Sequence, residues 1–173
     1  MTNARRIKSN IGHAVLAMIA TALPLAAAQA DHCGCSYEEP LAGRMTGGGS
    51  IFMQNGTRVT HGFQLRCDRF DPRQNLEINW GKGERFHMTE MISVDCRNDP
   101  DIDPGNPETE MDTLIAYVSG RCGKVEDATA IFTFQDAGEP GVMDYAEIRI
   151  WGCESGNFLV YGLLDKGNHQ AHP

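Results

Sequence analysis

Positive charge is scarce in this chain. Fifteen lysines and arginines stand against twenty-three aspartates and glutamates in 173 residues, a formal net charge of −8 at pH 7. A surface of that sign repels phosphate backbones and anionic headgroups, which sets nucleic acid and membrane surfaces aside as partners and admits divalent cations and cationic molecules. No hydrophobic run is long enough to span a bilayer: the apolar stretch at residues 14–28 is about fifteen residues long where roughly twenty are needed, and Pro24 interrupts it. Beyond residue 30 no segment carries a helical period, which excludes helix bundles and βαβ units. The glycines Gly47-Gly48-Gly49 are not followed by Gly-Lys-Ser/Thr, so they form no phosphate loop. Ser50 lacks the second glycine of a nucleophile elbow and enters a strand instead of a helix.

What the chain does have begins with a leader. Arg5, Arg6 and Lys8 make a cationic start, the apolar run follows, and Ala28-Gln29-Ala30 is a small-residue cleavage site, so residues 1–30 read as a signal peptide for ordinary secretion. Export to the periplasm or the extracellular space follows, with no membrane insertion after cleavage. The leader holds three of the fifteen basic residues and none of the acidic ones, so the remainder carries a net charge of −11. That remainder has the size of one domain. Residues 31–42 are an exposed lead-in and residues 43–173 the folded unit.

All six cysteines lie after the leader, and in a short exported chain they imply bridges. Cys67 and Cys96 end apparent strands, as do Cys122 and Cys153 later on, so the expected pairs are Cys67 with Cys96 and Cys122 with Cys153. Each closure contributes on the order of 3 to 4 kcal/mol when unstrained. Cys33-Gly34-Cys35 is left over, too close in sequence to bridge without strain.

The dominant period is two. Val59, His61, Phe63, Leu65 and Cys67 share one strand face; Leu76, Ile78 and Trp80 repeat the pattern; Gly81-Lys82-Gly83 turns the chain, and Phe86 and Met88 return it as a hairpin. Ile92, Val94 and Cys96 follow, then a Pro- and Asp-rich loop over residues 98–112. Alternation resumes at Leu114, Ala116 and Val118, at Ala130, Phe132 and Phe134, and, after a turn at residues 136–141, at Ala146, Ile148 and Ile150. The last run, residues 158–164, is apolar on both faces and is expected at the sheet centre. Short strands between Gly, Pro and Asp turns predict an all-β fold, an antiparallel β-sandwich of roughly seven to nine strands of jelly-roll or immunoglobulin-like type.

Few residues point to chemistry. Asp99, Asp101 and Asp103 alternate on one loop, and Glu110 falls at the twelfth position, the spacing of a calcium loop; Pro104 stands where that loop needs its glycine, so calcium is expected weakly if at all. His87 with Glu90, and His169 with His172, supply incomplete zinc sets, and the latter pair reads as a solvated tail. His61 lies on an apolar face and reads as a hydrogen-bonded core histidine. Trp80 and Trp151 are candidate stacking platforms for a ligand. No acid–base constellation is visible from spacing.

Four stretches together carry a resemblance: GRMTGGGSIF at residues 43–52, RVTHGF at 58–63, FTFQDAGEPG at 132–141 and LDKGNH at 164–169. The chain resembles, over nearly all of its length after the leader, the post-COAP domain of exported bacterial proteins. The resemblance implies an extracytoplasmic β-rich module without an established activity, in a family often attached to larger surface or secreted proteins. The expected function is a non-enzymatic exported binding or structural module of the cell surface or periplasm, its partner another surface protein or a glycan. The alternative is a carbohydrate- or calcium-dependent adhesion module, and the weakest reading is a hydrolase.

Overall fold

The computed structural model describes residues 42–102 and 110–173. The leader, the lead-in up to residue 41 with Cys33 and Cys35, and Asp103 lie outside the described residues. Nine strands follow in chain order: β1 (Arg44–Phe52), β2 (Arg58–Arg66), β3 (Asn75–Trp80), β4 (Glu84–Arg97), β5 (Thr113–Cys122), β6 (Val125–Gln135), β7 (Tyr145–Trp151), β8 (Phe158–Leu163) and β9 (Lys166–His172). They form one antiparallel sheet in the order β8-β7-β6-β5-β4-β3-β2-β1-β9, and no helix occurs among the described residues. The all-β antiparallel character and the strand number are as expected. A division into two sheets is not seen among the described residues, where every strand from β2 to β8 returns beside its predecessor in one sheet.

The sheet must curl. β8 and β9 stand at opposite ends of the strand order, yet only Leu164 and Asp165 separate them. Three peptide units reach about 11 Å at most. The crossing is tied down by the Leu164 N–H donating to the Asp144 carbonyl at 2.9 Å and the Asp165 N–H to the Ser50 carbonyl at 2.8 Å.

Alternation then places the core on one face. Leu65, Leu76, Ile78, Phe86, Leu114, Val118, Phe132, Phe134, Ile148 and Ile150 are fully buried there. Phe134 stacks between Phe63 and Phe132, with ring centroids 4.4 and 4.7 Å away. In β4 the period breaks because its register against β5 shifts between Met88 and Glu90 and again between Met91 and Ser93. These are bulges, each adding a residue to one strand. They explain why one long strand reads as two short ones.

The expected central position of residues 158–164 is corrected. β8 is a terminal strand: only Val160 within it is buried, while Leu159, Tyr161 and Leu163 stand out on the other face. Apolar residues on both faces mark burial on both only if something covers the second face, and here nothing described does. Leu163→Ala is accordingly expected to lower the unfolding free energy measured in urea by less than about 1 kcal/mol, whereas Ile148→Ala in the interior strand β7 costs roughly 2 to 5 kcal/mol. Equal effects would return β8 to the core.

Candidate functional site

Buried polar side chains meet at the seam of β1, β2 and β9. Gly47 and Gly49 lie in step with the buried Met45 and Ile51, so they face the core. Gly47 is opposite Phe63 on β2 and His169 on β9, and Gly49 is opposite His61. With no side chains on β1 in between, the two histidines reach over it and meet Nε2 to Nε2 at 2.8 Å. His169 Nδ1 lies 3.0 Å from the Gln135 carbonyl. A carbonyl only accepts, so that nitrogen carries the proton, His169 Nε2 is bare, and His61 Nε2–H donates to it. His61 Nδ1 is then also bare, and it has no partner.

Both rings are buried, and His61 stacks on Phe134 at 4.9 Å. Burial, and then the nearby His169, lower the His61 pKa to about 3. Burial lowers that of His169 to about 4, against the opposing pull of the Gln135 carbonyl. The pair is neutral near pH 7 and closed off from solvent. Such a pair specifies packing at the seam.

The loop between β6 and β7 covers the outer edge of β9. Asp144 Oδ2 accepts the His169 N–H at 2.6 Å and Asp136 Oδ2 the Ala171 N–H at 2.7 Å. Glu139 Oε1 accepts from Asn168 Nδ2 and Gln170 Nε2 at 2.9 and 2.6 Å. Carboxylates thus replace the missing neighbouring strand, which protects an edge otherwise open to pairing with other chains. Burial raises the pKa of Asp144, with the amides of His169 and Ala137 pulling the other way. The expectation of a solvated tail at His169 and His172 is therefore corrected. Residues 166–172 are a strand, and His169 is fully buried in it.

The other expected site residues do not assemble with this seam. Cys67 stands bonded to Cys96 and Cys122 to Cys153. In the acidic loop, Asp112 Oδ1 accepts the Asp99 N–H at 2.9 Å and the Thr113 hydroxyl at 2.8 Å. Asp99 in turn accepts the Asp101 N–H and the Gln135 amide. These carboxylates pin the loop. Burial raises the pKa of Asp112. Asp101 and Glu110 are exposed, and among the described residues no group of three or more His, Cys, Asp and Glu is placed to hold a metal ion.

Trp80 and Trp151 lie apart. Trp80 is buried on the inner face and packs on Phe158 at 4.7 Å. Trp151 lies half-buried on the opposite, outer face, with the Arg149 guanidinium 5.9 Å from its ring centroid. The two tryptophans thus share no face, because β3 and β7 present them in opposite phase.

Sequence reasoning passed over Asp144, whose partner strand lies 25 residues away, and took the outer row of β8 to be buried. Leu159 faces Arg149 across the β7 ladder, Tyr161 faces Glu147 and Leu163 faces Tyr145. Their exposure is 41%, 57% and 51%. Among the described residues no helix is long and apolar enough to cross a membrane. Compared with known proteins, the chain matches no family model, no curated protein and no solved structure.

Proposed function

We propose that the chain is a non-enzymatic exported module of the cell surface or periplasm, which binds another surface protein or a glycan or acts as a structural element there. The observation that carries this reading is the use made of the buried ionisable groups. His61, His169, Asp112 and Asp144 all bond to the backbone or to one another, so they hold β9 and the acidic loop in place. Exposed side chains are the ones free to meet a ligand, among them Leu159, Tyr161 and Leu163 on the outer face of β8. The two disulfides accord with an oxidising, exported location. Kinship with the post-COAP domain belongs to the same proposal. Its support is that all four resembling stretches meet at the β1, β2 and β9 seam, as expected if their glycines, histidines and Asp136 serve closure of the sheet. Trp151 on the outer face favours the carbohydrate-dependent adhesion reading as a variant.

The test is retention of the oxidised protein on intact bacterial cells. Retention is expected to weaken by roughly tenfold in Tyr161→Glu, at an unchanged thermal midpoint. Undiminished retention would move binding off β8. Release of nitrophenol from ester or glycoside substrates above the blank would overturn the non-enzymatic reading.

A further inference from the structure

The loop after β2 and the bulged middle of β4 enclose a surface cleft of about 330 Å³. Its lip is Phe70, 77% exposed. One face of the ring is covered and the loop beneath it is pinned. The Arg69 guanidinium covers one face at 4.3 Å from the centroid, and Arg69 Nη1–H donates to the Ile92 carbonyl at 3.0 Å. The Phe70 N–H donates to Asp68 Oδ1 at 2.9 Å, and Gln74 bridges the Arg66 N–H and the Asp68 carbonyl. Cys67, at the root of the loop, is bonded to Cys96 of β4. An aromatic ring on a loop pinned at its backbone, with a guanidinium on one face, presents its other face for stacking.

The opposite wall follows from the first bulge. Met88 is opposite Gly120 and Glu90 is opposite Ser119, which leaves Thr89 as the extra residue. A bulge re-aims side chains, and Thr89 and Glu90 are both exposed. Neither makes a side-chain hydrogen bond or ion pair among the described residues. Met88 and Met91, each 7% exposed, underlie the cleft.

We infer that this cleft binds a sugar ring of a neutral glycan. The open face of Phe70 takes the apolar C–H face of a pyranose, and the Thr89 hydroxyl and Glu90 carboxylate take its hydroxyl groups. An acidic glycan is disfavoured, because Asp71 and Glu90 both line the cleft and the chain carries a net charge of −8. An added peptide strand is disfavoured because the Ile92 carbonyl, which such a strand would pair with, already accepts from Arg69. The inference rests on the binding-module reading and names a ligand class and a place for it.

The experiment titrates the oxidised protein with cellohexaose, maltohexaose and chitohexaose by calorimetry. Binding of at least one is expected, weakened tenfold or more in Phe70→Ala and several-fold in Glu90→Gln. Thermal midpoints should be unchanged, since Phe70 contributes little to the core, and Trp151→Ala should leave affinity intact. Failure of all three sugars to bind, or affinity undiminished in Phe70→Ala, would overturn the inference. So would a peptide library whose binding Phe70→Ala abolishes. New reducing ends released from a bound hexasaccharide would instead overturn the non-enzymatic reading while leaving the cleft assigned.

Discussion

Acidifying the oxidised protein from pH 7 to pH 4 is expected to remove roughly 3 to 6 kcal/mol of its unfolding free energy. The source is the buried pair His61 and His169, whose pKa values burial lowers from 6.5 to about 3 and about 4. Between those values and 6.5 the unfolded chain binds protons that the folded chain refuses, so stability rises with pH across that window. The contribution is fully present above about pH 6.5 and is lost progressively as pH falls from there to the folded values. Asp144 and Asp112 act in the opposite sense, because burial raises their folded pKa and the folded state takes up their protons first. Urea unfolding at half-unit pH steps measures the slope, and a His61→Leu, His169→Leu double variant should flatten it. A midpoint independent of pH between 7 and 4.5 would mean that the pair is solvated or already charged.

Gly47→Ala is expected to cost at least about 3 kcal/mol, an unusually large effect for adding one methyl group. Gly47 has φ of +153°, and a Cβ there would run into the Asn168 carbonyl oxygen and lie 2.9 Å from the His169 Cα. Both atoms belong to the backbone of β9, so neither can swing aside as a flexible side chain would. Gly62, on the neighbouring strand β2, is the matched control. Nothing lies within 4 Å of a Cβ built on it, and its backbone is not left-handed. Gly62→Ala should be neutral or stabilising by up to about 1 kcal/mol, since it restricts the unfolded chain. Urea midpoints of the two variants decide the matter. Equal midpoints would show that the close approach of β1 and β9 is not obligatory.

The regions legible in the sequence are those whose own residues settle their state. The β3–β4 hairpin is written in Leu76, Ile78 and Trp80 against Phe86 and Met88, with glycines of positive φ at 81 and 83 making the turn. β9 is not legible in this way. Residues 166–172 bury only His169 and Ala171, so no apolar alternation announces a strand. It forms because β1 supplies a ladder on one side and Asp136, Glu139 and Asp144 supply acceptors on the other. The β4 bulges likewise depend on a register set by β5, and the phase they change decides that Thr89 and Glu90 look outward beside Phe70.

Alternation and strand-end cysteines by themselves determined that this chain is all-β, antiparallel and cross-linked at two places, because a side-chain period of two and the geometry of a bridge are local properties. Only the tertiary structure decided that the strands make one curled sheet, that β8 ends it with an apolar face outward, and that two histidines 108 residues apart share a hydrogen bond in the core. Those outcomes hang on which strand lies next to which. Neighbours of that kind are set by the summed burial of the whole sheet, and no single segment encodes them.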